Sequence, residues 1–212
     1  MSPRLSRAEQ NDRNRALLFA AARRVFLARG YHAATLEQIA DEAGFSKGVV
    51  YSRFASKADL FLALLEDRIA ERAAQNAQVA RDVAGSGDFT ALFDLAQRAE
   101  RAAPGWRLLV TEFRIHAARD PELNRRYAAL HARTADGIAR SLIAISERGE
   151  AGNGQGLPFP PRQLAELLLA VETGLALEQQ ASPDALGGPD LPVIRWLTTW
   201  LAPAPVLTRE ET

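Results

Sequence analysis

Cysteine is absent from this 212-residue chain, and its absence excludes several kinds of chemistry at once. Without thiols there is no disulfide, no thiolate zinc site and no cysteine nucleophile. Long hydrophobic runs are missing too. The most apolar run, residues 167–171, lies between Glu166 and Glu172, far short of the roughly 20 residues that span a bilayer. The charged first 15 residues hold no apolar segment, so we expect no secretory signal and a cytoplasmic protein.

Motifs that carry catalysis or hold a cofactor are also missing. The sequence has no HExxH pair, no nucleophile elbow and no glycine-rich phosphate loop after a strand. Glu112 and His116 stand four residues apart, and His131 follows, but one His and one carboxylate on a helix are a weak metal signal. The sequence therefore predicts no enzyme, no metal site and no cofactor.

The charges that are present are distributed unevenly. The formal net charge is zero, with 26 basic and 26 acidic residues. Residues 1–57, however, hold ten Lys/Arg against five Asp/Glu, and the remaining 155 residues hold 16 against 21. A basic N-terminal part on an acidic body indicates that the N-terminal part alone meets a polyanion.

Helical spacing of apolar residues runs through the whole sequence, so the predicted fold class is all-α. About nine helices are expected. Their approximate ranges are 11–28, 35–43, 47–53, 57–81, 88–102, 104–118, 121–148, 161–181 and 190–202. Gly30 is expected to end the first helix, and Pro104 and Pro121 are expected in the first turns of the sixth and seventh.

The segment TLEQIADEAGFSKGVVYSRFASKADL, residues 35–60, breaks the helical pattern twice. Thr35 with Gln38 forms a capping box that opens one helix, and Gly44 ends it at a sharp turn. The next helix is about 12 Å long, close to the width of the DNA major groove. Val50 and Phe54 point inward from it. The segment is a predicted helix-turn-helix, with the short helix as its reading element.

The residues expected to contact DNA follow from this geometry. Lys47, Gly48, Val49, Ser52 and Arg53 point outward toward bases, and Thr35, Tyr51 and Lys57 suit phosphate contacts. Ser46 caps the short helix and completes the set. A half-buried position for Tyr51 is the alternative to its phosphate contact.

The helix expected at 161–181 is apolar on nearly every side, which requires burial nearly all round. A second subunit covering one face would supply this burial, and a fully internal helix is the alternative. The predicted dimer interface is formed by Leu169, Thr173, Ala176, Leu177, Trp196 and Trp200.

Residues 12–67 closely resemble the N-terminal domain of TetR-family transcriptional regulators. The resemblance rests on residues that match in order: Phe26, Gly30, Thr35, Ile39, Ala40, Gly44, Ser46, Gly48, Tyr51, Phe54 and Lys57. It implies an all-α homodimer that binds a palindromic double-stranded DNA operator, usually represses, and releases DNA when a small molecule enters the C-terminal domain. Ser52 and Arg53 replace aromatic or His residues often found there, which leaves the base preference open.

The expected division is a DNA-binding domain at 1–57 and a ligand-binding and dimerisation domain at 58–212. The resemblance suggests a pocket among the fifth to eighth predicted helices. Its predicted lining is Trp106, Leu109, Val110, Phe113, His116, Tyr127, His131 and Val171. The same residues suit an ordinary bundle core. Two functions therefore stay open: a repressor released by an unidentified small molecule, or a DNA-binding adaptor or activator whose C-terminal bundle binds protein partners.

Overall fold

The computed structural model describes residues 6–146 and 157–182, and these form eight α-helices with no strand among them. Their bounds are α1 Arg7–Ala33, α2 Leu36–Ala43, α3 Lys47–Tyr51, α4 Lys57–Asp82, α5 Thr90–Ala102, α6 Trp106–Ala117, α7 Pro121–Ser146 and α8 Pro161–Ala181. The all-α prediction is confirmed. The predicted ninth helix, 190–202, lies outside the described residues.

The described residues form two compact units. Unit 1 comprises residues 6–70 and 105–130, and unit 2 comprises residues 71–104, 131–146 and 157–182. The long helices α4 and α7 each contribute one part to unit 1 and the other to unit 2. The functional division at residue 57 stays a prediction.

Helix α1 is longer at both ends than the apolar pattern predicts. It begins after Ser6, whose side chain accepts from the Glu9 amide while the Glu9 carboxylate accepts from the Ser6 amide. This capping box was missed because no apolar residue marks the first turn. Gly30 does not end the helix as expected. It forms a kink (φ 74°, ψ 169°), and one more turn follows to Ala33.

The helix-turn-helix has the predicted order, with two corrections at α3. The Thr35–Gln38 capping box opens α2, and Gly44 ends it in the left-handed region (φ 70°, ψ 26°). Helix α3 ends at Tyr51, two residues before the predicted end. Ser46 holds the N-cap position, but its hydroxyl makes no cap hydrogen bond. The first turn is closed instead by the Val49 amide, which donates to the Ser46 carbonyl over 3.0 Å.

The start of α6 also differs from the prediction. Pro104 lies outside the helix, which begins at Trp106 after Gly105 as N-cap residue. The Leu109 amide donates to the Gly105 carbonyl and closes the first turn. Pro121, in contrast, is the first residue of α7 as expected.

The core of unit 1 is aromatic. Phe26, Tyr31, Phe61 and Phe113 are almost fully buried. The Phe61 and Phe113 rings stack with centroids 4.4 Å apart, and Tyr31 meets both edge-on at 5.3 and 5.0 Å. Aromatic pairs in these geometries add about 0.5–1.5 kcal/mol each beyond the area they bury. This cluster fixes the end of α1 against α4 and α6.

Unit 2 has a mainly aliphatic core, formed by Ala80, Leu142, Ile145 and Leu164 together with one aromatic side chain, Phe89. The loop after α4 forms hydrogen bonds with α7, the helix that supplies Leu142 and Ile145 to this core. The amides of Gly85 and Gly87 donate to the carbonyls of Ala144 and Ile145 in the last turn of α7. A helix leaves its last four carbonyls without partners of its own, so this loop caps α7 from outside.

Candidate nucleic-acid interface

Helix α3 is held at one buried residue and is exposed on the rest of its surface. The Val50 side chain is fully buried, and Phe54 is half-buried beside Phe19, with ring centroids 6.4 Å apart. Both inward predictions are confirmed. The Phe45 amide donates to the Ala40 carbonyl over 2.9 Å, which fixes the turn between α2 and α3. The protein core thus orients a short helix whose outer face is open.

The outer face contains most of the predicted DNA-contacting residues. All of the following are exposed: Ser46, Lys47, Gly48, Val49, Tyr51, Ser52 and Arg53. A side chain at Gly48 would meet nothing closer than the Ser46 hydroxyl, at 4.0 Å, so this backbone is accessible. The Ser52 hydroxyl donates to the Val49 carbonyl over 3.0 Å, and its oxygen keeps the capacity to accept.

Two residues of the outer face are bonded to other helices of unit 1. The Arg53 guanidinium donates through Nη2 to Asn11 Oδ1 of α1 at 2.7 Å. The Tyr51 hydroxyl donates to Glu37 Oε1 of α2 at 2.6 Å. Sequence reasoning found neither partner, because each lies on a different helix from the residue that it holds. Thr35, at the start of α2, is exposed, and its hydroxyl oxygen accepts from the Gln38 amide.

Lys57 has a different environment from the one predicted for a phosphate contact. Its Nζ donates to the carbonyls of Tyr31, His32 and Ala34 at 2.6, 2.8 and 2.9 Å. An ammonium has three donors, and all three are used here. The Nζ also lies 4.7 Å from the centroid of the Tyr31 ring, and burial lowers the pKa of Lys57. In this structure Lys57 caps the end of α1 and has no donor left for phosphate.

A second contact to the end of α1 was also missed. Glu112 of α6 accepts from the Tyr31 amide through Oε2 at 2.8 Å. A Cβ at Gly30 would lie 2.9 Å from the same oxygen. Gly30 thus satisfies two demands, a positive φ and room for the Glu112 carboxylate. The sequence shows the glycine at position 30, but it does not reveal that Glu112 is the group for which this glycine leaves room.

Comparison with known proteins identifies the family of this chain. Residues 18–64 match the family model described as bacterial regulatory proteins, tetR family. The HTH-type transcriptional activator FasR of Mycolicibacterium smegmatis is 35% identical over 155 residues, 64% of this chain and 69% of that protein. The chain belongs to the TetR family. It is therefore a DNA-binding transcriptional regulator with a helix-turn-helix, as predicted.

Solved structures of bacterial regulators also share the fold over most of the chain. FadR, the fatty acid degradation regulator of Bacillus halodurans, matches with a TM-score of 0.70 at 15% identity, covering 89% of this chain and 98% of that one. FadR of Bacillus subtilis in complex with stearoyl-CoA matches with a TM-score of 0.61 at 15% identity, covering 88% and 97%. At this level of identity the likeness concerns the fold alone.

The predicted pocket residues of this TetR-family chain are divided between the two units. Trp106, Leu109, Val110, Phe113, His116 and Tyr127 belong to unit 1, and His131 and Val171 belong to unit 2. Leu109, Phe113 and Tyr127 are buried in the unit 1 core, where Phe113 contacts Phe61 and Tyr31. Burial raises the pKa of Tyr127. Packing thus accounts for these three residues, and their role toward a ligand stays a prediction.

The predicted dimer residues on α8 differ in exposure. Ala176 is buried, Leu169 and Thr173 are half-buried, and Leu177 is 48% exposed. The Thr173 hydroxyl donates to the Leu169 carbonyl within the helix. Trp196 and Trp200 lie outside the described residues. The interface stays a prediction.

Within residues 6–146 and 157–182, no group of three or more His, Asp or Glu side chains is placed to hold a metal ion. Over the same residues, no helix combines the length and apolar character needed to cross a membrane.

Proposed function

We propose that the chain is a sequence-specific regulator that binds a palindromic operator as a homodimer, with α3 in the major groove. The observation that carries this is the construction of α3, with one fully buried anchor, Val50, and a continuous exposed face from Ser46 to Arg53. The major groove is about 12 Å wide and admits one helix. An anchored helix with an open face is the form that such a reader needs.

On this face, Lys47 and Arg53 donate to guanine edges or phosphates, Val49 meets a thymine methyl group, and Gly48 allows the backbone to approach closely. Thr35 and Ser46 supply hydroxyl groups for phosphates. The excess of basic residues in 1–57 supplies the long-range attraction. We assign Lys57 to holding α1, because its three ammonium donors are used within the chain.

The regulatory part of the proposal is release by a small molecule bound in the C-terminal domain, with repression as the sign of regulation. The B. subtilis FadR structure contains stearoyl-CoA, so a long-chain acyl-CoA is the first effector class to test. The relative FasR is named an activator, so a transcription assay with the operator placed at a promoter must decide the sign.

Selection of bound sequences from random duplex DNA with the purified full-length chain tests the proposal. We expect a palindrome whose half-site centres lie about 34–36 Å apart or at a multiple of this spacing. Titration of the resulting complex with stearoyl-CoA then tests the effector class. Failure to enrich any sequence would contradict operator binding, while an enriched operator insensitive to stearoyl-CoA would contradict only that effector class.

A further inference from the structure

The Tyr51 side chain lies on the flank of α3, and its hydroxyl hydrogen is already used. The residue is 48% exposed, and Oη donates to Glu37 Oε1 at 2.6 Å. Glu37 lies in the first turn of α2, 14 positions earlier, so this bond joins the reading helix to its supporting helix. A tyrosine hydroxyl has one hydrogen to donate.

The charge state of this pair is fixed at neutral pH. The hydrogen bond from Tyr51 holds the pKa of Glu37 below its ordinary value, with smaller contributions from the backbone and from nearby Lys47. The same bond raises the pKa of Tyr51. Glu37 is therefore a carboxylate and Tyr51 keeps its proton. A negative charge and a hydroxyl without a free hydrogen stand together at this edge of α3.

DNA phosphates are anions that offer only hydrogen-bond acceptors. At this edge they meet the Glu37 carboxylate, which repels them, and a Tyr51 oxygen that has no hydrogen to give. Sequence-independent binding depends mainly on phosphate contacts, whereas base contacts give specificity. An arrangement that disfavours one phosphate contact therefore weakens binding to any duplex by about the same factor, and non-operator DNA, which offers no base contacts, is held by such contacts alone.

We propose that Glu37 limits the affinity of the interface for the DNA backbone, because it withholds the Tyr51 hydroxyl from phosphate and so reduces background binding to non-operator DNA. This inference rests on the proposed function of α3 as the reading helix. Glu37 acts through Tyr51 and by its own charge, and it need not touch a base.

The test measures the affinity of the full-length protein for a random-sequence duplex and for the selected operator. Glu37→Ala frees the Tyr51 hydroxyl and removes a charge, and Glu37→Gln removes only the charge. Asp41→Asn is the matched control, because Asp41 is an exposed carboxylate on the same helix. We expect Glu37→Ala to bind random DNA about 3- to 10-fold more tightly than wild type, the size of one net hydrogen bond, and to bind the operator more tightly by a similar factor.

A double-mutant cycle separates the hydroxyl from the charge. In the Tyr51→Phe background, Glu37→Ala should raise random-DNA affinity only as much as Asp41→Asn does, because no hydroxyl remains to release. Circular dichroism confirms that each variant is folded. The inference is overturned if Glu37→Ala binds random DNA no more tightly than Asp41→Asn, or if its gain persists in full without the Tyr51 hydroxyl. The random-duplex arm needs no operator, so it remains decisive even if wild type prefers no sequence.

Discussion

At the scale of single residues, the end of α1 depends on contacts from two charged side chains. Lys57 donates to three of its carbonyls, and Glu112 accepts from the Tyr31 amide. Gly30 makes the second contact possible, because its missing Cβ leaves space for the carboxylate. Both contacts lie within unit 1, and both should contribute to the free energy of unfolding.

Gly30→Ala should lower the free energy of unfolding by about 2–3 kcal/mol, because it combines a positive φ with a Cβ placed against the Glu112 carboxylate. Gly44→Ala is the reference variant. Gly44 has a similar φ of 70°, but its ψ of 26° lies in the left-handed helical region, and nothing lies within 4 Å of its Cβ position, so about 1 kcal/mol is expected there. Gly30, with ψ 169°, has a backbone conformation that essentially only glycine adopts. Urea unfolding measures both variants. Equal losses would mean that neither the backbone of Gly30 nor the Glu112 carboxylate resists the added Cβ.

Lys57→Met should destabilise the protein by about 2 kcal/mol, because it keeps the apolar stem but leaves three carbonyls without their donor. Lys47→Met, at an exposed position of α3, should leave the melting temperature unchanged and weaken operator binding. Calorimetry and a DNA titration of both variants check this opposite pattern. A stable Lys57→Met protein with weak DNA binding would restore the phosphate role expected from sequence.

At the scale of elements, helix ends show what the sequence could and could not reveal. The Thr35–Gln38 box, the left-handed Gly44 and the inward Val50 were predictable, because each is encoded within a few residues. The end of α3 at Tyr51 and the start of α6 at Trp106 were not. Local patterns suit a helix on either side of these boundaries, and hydrogen bonds in the folded chain decide between them.

The candidate interface also has features that the sequence predicts and features that it does not. The sequence reveals which residues of α3 face outward, because helical spacing around Val50 determines it. Their partners Asn11 and Glu37 lie on α1 and α2, and only tertiary packing brings them near. The contacts of Lys57 with the end of α1 were missed for the same reason, since a lysine at a helix start suits a phosphate as well as a neighbouring helix end.

A carboxylate in the first turn of α4, that of Asp59, makes the free energy of unfolding depend on pH in the acid range. Hydrogen bonds from Ser56, together with the Arg126 guanidinium 2.8 Å away, hold the pKa of Asp59 below its ordinary value of 3.8. A lowered carboxyl pKa adds stability above the unfolded value, and this stability is lost as the pH falls through the folded value.

Asp59→Asn should therefore be less stable than wild type by about 0.5–1 kcal/mol at neutral pH. The difference should shrink below pH 3.8 as the wild-type carboxyl becomes protonated. Urea titrations from neutral to acid pH measure it, with Asp41→Asn as the control on α2. A difference that stays constant with pH would show that Asp59 does not act through its charge.

At the scale of the whole molecule, a basic N-terminal part is joined to an acidic remainder. Two such chains side by side would present two basic parts to one duplex, which is what a palindromic site requires. Leu177 of α8, which belongs to the predicted dimer interface and is 48% exposed in the single chain, gives this arrangement a place to be tested.

Leu177→Arg should dissociate the proposed homodimer, because it places a charge within the predicted interface on α8. Leu167→Arg is the control, since Leu167 lies on a different side of the same helix and outside the predicted set. Sedimentation velocity distinguishes monomer from dimer for both variants. If the Leu177→Arg variant still forms a dimer, the interface does not include this face of α8.

The three carbonyls that hold Lys57 have a practical consequence for labelling. The chain contains only two lysines, Lys47 and Lys57. One ammonium is enclosed by backbone oxygens, and the other is open on α3. An amine-reactive ester at neutral pH should therefore acylate Lys47 long before Lys57. Mass spectrometry of the acylated peptides would then measure how far bound DNA protects Lys47. Protection of this single side chain would report the fraction of the protein that is bound to DNA.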